Sequence, residues 1–288
     1  MVESPTADTT ESMPRAPYGD PPYPVTAMIR SRNKTCFNNM TSTDERNQRL
    51  LAFLHLLGRF RDEDAAIYNS MAAGYESFSK VWEEEIARPA LEHLLKSASR
   101  RIPPHGRVLD AGCGTGLRIP DIATYFKPRR VFGLDVSSAM LDVARRKKYG
   151  VPVSFEEGNL HALPYEDESM DAVIATWSVE TTSNPGHAVR EFLRVLKPGG
   201  VVAYSYVQIP KSISEREILS KLDTGQKFDQ LGEALSPEHL PFHNCSNSEL
   251  RHFAEGVIST VILGKCCEVS PGWLPKPFDF DEFISETC

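Results

Sequence analysis

The chain has 288 residues, 41% hydrophobic and 25% charged, a composition that suits one large globular domain with additions. Its formal net charge of -7 offers no global basic field for a nucleic-acid partner. It holds no run of 18 or more apolar residues and no signal-peptide apolar stretch near Met1, so neither a membrane span nor a secretory leader is expected.

Glu3, Asp8 and Glu11 argue against a transit peptide. Six cysteines in a chain of this length do not make a disulfide framework, and Cys113 sits inside a glycine loop where a bridge would obstruct a ligand. A reducing, cytoplasmic setting is the expectation.

Residues 1–42 hold Pro5, Pro14, Pro17, Pro21, Pro22 and Pro24 among polar residues. A segment with so little apolar surface to bury cannot offset its ordering entropy, and a disordered tail is expected. Residues 43–104 read as N-terminal helices covering an active site. Ser42 and Glu45 form a capping box, and Leu50, Leu51, Leu54, Leu57 and Phe60 follow at helical spacing. Tyr68 and Tyr75, seven residues apart, are expected on one helical face. Trp82, Ile86, Ala90, Leu91 and Leu94 continue a helical pattern that Pro103 and Pro104 stop.

Arg107 to Gly116 reads RVLDAGCGTG, a short apolar run, an acid and three spaced glycines, followed by a helical pattern through Ile119, Ile122 and Phe126. This is strand, tight turn, helix. Gly112, Gly114 and Gly116 can take positive φ and let a ligand approach the backbone. Nineteen residues later a second apolar run ends in Asp135, where an acid can accept hydrogen bonds from both ribose hydroxyls of an adenosine group. Dinucleotide sites share this layout but typically read G-x-G-x-x-G, whereas these glycines read G-x-G-x-G.

The segment resembles the first motif, VLDxGCGTG, of the class I S-adenosylmethionine-dependent methyltransferases. Within them it is closest to the small-molecule branch that includes the ubiquinone/menaquinone and sterol methyltransferases, and the likeness covers roughly residues 68–206. The resemblance implies an α/β fold: a Rossmann-like, doubly wound, mostly parallel sheet with N-terminal helices and an inserted lid. It implies S-adenosyl-L-methionine as cofactor, bound by residues 105–207. Tyr68-Asn69 to Tyr75-Glu76 resembles the family's pre-domain helix, whose tyrosines approach the cofactor.

Downstream, Ser137 or Ser138 is expected to cap a helix with Met140, Leu141 and Ala144 inward, ended by Gly150. Residues 152–155 form a third strand, and Glu157-Gly158-Asn159-Leu160 resembles the family segment whose acid receives the adenine amino group. Asn159 replaces that acid, and its amide oxygen can accept the same bond. Met170 to Thr176 reads as a central parallel strand, which directs Trp177, Ser178 and Glu180 toward the methyl group or the acceptor. Asn184-Pro185 starts a helix, Lys197-Pro198-Gly199-Gly200 ends it in the family's LKPGG, and Val201 to Val207 is the fifth strand. Residues 208–288 are expected to form a substrate lid, then a helix capped by Ser246 and Glu249, late strands over 257–269 and an aromatic tail.

By resemblance, Asp110, Gly112, Gly114 and Gly116 hold the methionine end, Asp135 the ribose, Met140 or Leu160 the adenine faces and Asn159 the adenine edge, with Cys113 and Val136 as further cofactor-binding residues. Tyr68, Tyr75, Trp177 and Glu180 line the methyl and acceptor side, with Tyr75, Trp177 and Glu180 as candidate catalytic residues. Methyl transfer asks chiefly for alignment. Where the acceptor is a hydroxyl, Glu180, His161, His187, His239 and His243 are candidate bases. No metal site is expected. The partner is a small organic acceptor, its atom open. Alternatives are a non-catalytic cofactor-binding scaffold, a macromolecular acceptor, or a thiophilic metalloid held by Cys245, Cys266 and Cys267; the adjacent pair more simply reads as buried core.

Overall fold

The computed structural model describes residues 65–207 and 248–265, which belong to one compact unit. The expected tail, the helix begun at Ser42, the lid, Ser246, His239, His243, the three late cysteines and the aromatic tail lie outside the described residues.

Seven strands form one sheet in the order β3-β2-β1-β4-β5-β7-β6. They span Arg107–Ala111 (β1), Arg130–Asp135 (β2), Val153–Glu157 (β3), Met170–Thr176 (β4), Leu196–Val207 (β5), Glu249–Phe253 (β6) and Ile258–Gly264 (β7). β1 to β5 run parallel, β7 is antiparallel to β5, and β6 is antiparallel to β7. The chain winds outward from β1 in one direction to β3, then returns to place β4 on its other side. That reversal opens a crevice at the strands' carboxyl ends, where ligands of open α/β sheets sit.

The helices among the described residues are Ala65–Met71 (α1), Tyr75–Trp82 (α2), Arg88–Ser99 (α3), Ile119–Phe126 (α4), Ser138–Arg145 (α5) and Pro185–Val195 (α6). α3 and α4 bury Leu94, Leu95, Ala98, Ile122 and Phe126 against Val108, Ala172 and Ala203 of the sheet. α6 buries Val189, Phe192 and Val195 with Leu109, Val173 and Val202. Each fully buried aliphatic side chain contributes roughly 1.5–3 kcal/mol, so Leu94→Ala, at a position with 0% exposure, costs about 2–5 kcal/mol. Ser137 caps α5 by accepting from the Met140 N–H, and Asn184 caps α6 by accepting from the His187 N–H, as their positions predict.

Five sequence expectations need correction. Tyr68 and Tyr75 lie on separate helices, because the Gly74 N–H closes a turn onto the Met71 carbonyl between them. The stripe from Trp82 to Leu94 is interrupted by a π turn, Glu83–Ala87. Glu249 opens a strand and not a capped helix: the edge beside β7 offers Glu249–Phe253 a backbone ladder, and Glu249 is anchored by His93 and Arg101. β5 starts at Leu196, which pairs with Met170; Lys197 to Gly200 form an irregularity inside the strand before Val201 pairs with Ala172. Gly199 there takes φ 78, and a ladder bond from its N–H to the Lys265 carbonyl holds the loop. α5 also stops at Arg145, five residues before Gly150. No described helix is long and apolar enough to cross a membrane.

Candidate functional site

The crevice beside β1 and β4 contains a cleft of about 690 Å3, counting its open mouth. From β1 it takes Gly112 and Gly114, from the end of β2 Asp135 and Val136, and from α5 Met140. Asn159 and Leu160 line it after β3, Trp177 after β4, and Tyr68 and Tyr75 from α1 and α2. With Ser178 after β4, eleven sequence-predicted residues therefore share one cavity. Gly158, Thr176, Thr181 and Thr182 also line it. The sequence reading assigned them no role, although their places beyond strand carboxyl ends were a usable signal.

Asp110, Cys113, Gly116 and Glu180 do not line the cleft. Cys113 is a buried free thiol turned toward Gly133 of β2, and burial pushes its pKa well up. Gly116 lies under Tyr149, whose hydroxyl would be 2.3 Å from an added β-carbon. Glu180 is 2% exposed, and its Oε1 accepts from the Val207 N–H. Its carboxylate thus meets the end of β5, and its charge also acts on the Tyr68 phenol. His161 and His187 stack on each other with centroids 5.4 Å apart, and His161 Nε2 accepts from the Asn184 N–H.

The cleft is held by hydrogen bonds that the linear order hides. Asp135 Oδ2 accepts from the Gly114 N–H at 2.7 Å, and Oδ1 accepts from the Ser137 N–H at 2.9 Å. One carboxylate thereby ties the glycine loop to the start of α5. Burial lifts its pKa, opposed by these donors and the Val136 N–H. Asn69, beside Tyr68, accepts from the Ser137 hydroxyl at 2.7 Å and the Ala139 N–H at 3.1 Å, which docks α1 on the first turn of α5. Burial raises both phenols, so Tyr68 and Tyr75 stay neutral donors at ordinary pH. Asn159 Oδ1 accepts from the His161 N–H at 2.8 Å, leaving one lone pair for another donor.

After β4, Trp177 adopts φ 58, a left-handed backbone that costs a bulky residue about 1–3 kcal/mol. Its ring meets Trp82 edge-on with centroids 5.8 Å apart. Thr181 and Thr182 donate their hydroxyl protons to the Ser178 and Val179 carbonyls, and the Thr181 hydroxyl also pairs with the Tyr68 phenol.

Behind the loop, Asp110 is 1% exposed, and neither carboxylate oxygen has a hydrogen-bond partner among the described residues. Burial pushes its pKa up to about 7, opposed by the Arg118 guanidinium. An orphaned carboxylate of this kind is suited to stabilising a nearby cationic group. Glycines at positive φ, a ribose-competent acid and this carboxylate fit a cofactor with an adenosine group at one end and an amino acid at the other.

Comparison with known proteins agrees with that fit. Residues 109–204 match a family model described as a methyltransferase domain. The demethylmenaquinone methyltransferase of Symbiobacterium thermophilum is 30% identical over 144 residues, 46% of this chain and 55% of that protein. A fatty-acid O-methyltransferase of Mycolicibacterium smegmatis is 26% identical over 196 residues, 66% of this chain and 70% of the relative. The chain thus spans about half the length of the first of these relatives. In structure, a SAM-dependent methyltransferase from Aquifex aeolicus superposes with a TM-score of 0.51 at 17% identity, covering 70% of this chain and 98% of that one. The sheet order and the helices on both faces are those of the class I methyltransferase fold.

Proposed function

Because residues 109–204 match a methyltransferase domain, we propose that this protein binds S-adenosyl-L-methionine in the cleft and transfers its methyl group to a small organic acceptor. The observation that carries the reading is the convergence of Gly112, Gly114, Asp135, Asn159 and Trp177, from four separate strand ends, on one cavity. The cofactor supplies a methyl group already activated on a sulfonium.

The chain's own residues bind and orient. Asp135 takes the ribose hydroxyls, Val136, Met140 and Leu160 the adenine faces, and Asn159 the adenine edge. Gly112 and Gly114 let the methionine end lie against the loop, with Asp110 behind it as counter-charge. Tyr68 and Tyr75 cover the cavity and exclude water, and Trp177 walls the acceptor side. The hydroxyl oxygen of Thr182 accepts from the acceptor or from polarised C–H groups, and the Thr181 hydroxyl holds the Tyr68 phenol in place. Alignment of acceptor, methyl carbon and sulfur is the main service asked of the protein. The relatives named for menaquinone precursors and fatty acids support a small acceptor.

The test is a parallel calorimetric titration of the purified protein with S-adenosylmethionine, S-adenosylhomocysteine and NADH. Binding of the two adenosyl ligands without NADH supports the reading, and acceptors can then be screened with labelled methyl donor. Binding of NADH alone overturns it.

A further inference from the structure

One buried ion pair has no part in the cleft lining. Arg118, at the start of α4, is 6% exposed, and Glu83, in the π turn after α2, is 8% exposed. Arg118 Nη2 meets Glu83 Oε1 directly, and Nη1 bonds Asp121 Oδ2 at 2.6 Å. Arg88 reaches the other Glu83 oxygen at 3.6 Å from a half-exposed position. Burying such a pair stabilises a fold little or not at all relative to apolar residues of similar volume. A π turn also departs from the regular helical ladder, and such turns occur frequently at functional sites. Helix packing alone favours neither feature.

What the pair connects is specific. α2 carries Tyr75, whose ring edge would be 3.8 Å from a β-carbon on Gly114. Arg118 ends the segment that leaves the glycine loop. Arg118 and Glu83 are both among the charges acting on Tyr75, and Arg118 is the cation acting on Asp110. A second tie runs from Glu76 to Lys147, whose Nζ also donates to the Thr115 carbonyl at 2.7 Å. Those side chains are 43% and 28% exposed, so water and salt screen them, whereas the Glu83–Arg118 pair is shielded.

We propose that Glu83 and Arg118 are positioning residues for the cofactor end of the cleft: their buried pair fixes the helix carrying Tyr75 against the segment that leaves the glycine loop. The proposal rests on the cofactor-binding reading above.

The test uses the full chain, with S-adenosylhomocysteine binding followed by calorimetry and folding by thermal unfolding. Glu83→Gln or Arg118→Met alone strands a buried charge and can unfold the protein. The informative variant is therefore Glu83→Met combined with Arg118→Met. It should keep a cooperative transition near the wild-type Tm yet bind S-adenosylhomocysteine about tenfold more weakly, and most of that loss should vanish in a Tyr75→Ala background, as expected of coupled residues. The pH below which binding weakens should also move upward, because Asp110 loses the cation that favours its ionised form. Wild-type affinity with an unmoved pH profile in the folded double variant would overturn the proposal, as would an equal loss with and without Tyr75. A wild-type chain that binds no S-adenosylhomocysteine would instead sink the reading on which the proposal rests.

Discussion

Gly112 and Ser178 are packed so closely that a β-carbon on the glycine would lie 2.3 Å from the Ser178 Cβ. The Ser178 hydroxyl donates to the Ala111 carbonyl at 2.8 Å, so the end of β4 is bonded to the end of β1. Gly112 also holds φ 74. Position 112 is thus barred to other residues by backbone conformation and by the neighbouring strand at once.

Gly112→Ala combines strain at positive φ, about 1–3 kcal/mol, with overpacking of a further 1–3 kcal/mol or so. Chemical denaturation should show a loss of about 2–6 kcal/mol, and S-adenosylhomocysteine binding should fall below detection. Near-native stability would mean that β1 and β4 can separate without cost.

Asp135→Ala removes the acceptor for the Gly114 and Ser137 N–H groups as well as the proposed ribose contact. Loss of a ribose acceptor alone would lower affinity with folding intact; the structure adds a stability cost of about 1–3 kcal/mol for each buried donor left unpaired. Thermal unfolding and calorimetry together should show both effects. Unchanged affinity would refute the ribose assignment.

Asp110 sets the pH response. Its folded-state pKa of about 7 lies above the ordinary carboxylate value of 3.8, so between those values the folded protein holds a proton that the unfolded chain does not. The ligand-free protein should therefore lose stability as pH rises through that window, by up to about 4 kcal/mol. A ligand bearing an ammonium group favours the ionised form, so affinity for S-adenosylhomocysteine should hold steady just above pH 7 and weaken by up to about tenfold per unit below it. Calorimetry in buffers of different ionisation enthalpy should detect proton release on binding below pH 7, and Asp110→Asn should abolish it.

Glu180→Gln keeps an oxygen able to accept from the Val207 N–H. If the carboxylate is a strand anchor, kcat for any acceptor found should change less than about threefold, well short of the roughly hundredfold or greater loss expected on removing a general base. A loss of that larger size would restore Glu180 to the chemistry.

Much of the fold was legible because its signals are local. The apolar runs of β1, β2 and β4, the caps Ser137 and Asn184 and the positive-φ glycines each follow from side-chain and backbone chemistry within a few residues. The ends of parallel strands then had to meet in one crevice, which is why most of the residues singled out there line a single cleft. What the sequence alone determined was therefore the run of parallel strands and the glycine turn at the end of the first of them. Tertiary structure decided the rest, because each remaining feature depends on a partner distant in the chain. β6 replaced an expected helix since β7 offered its edge, and Glu180 Oε1 accepts from the Val207 N–H across 27 residues. Glu83 met Arg118 across 35 residues only because a π turn and the glycine loop come together in space.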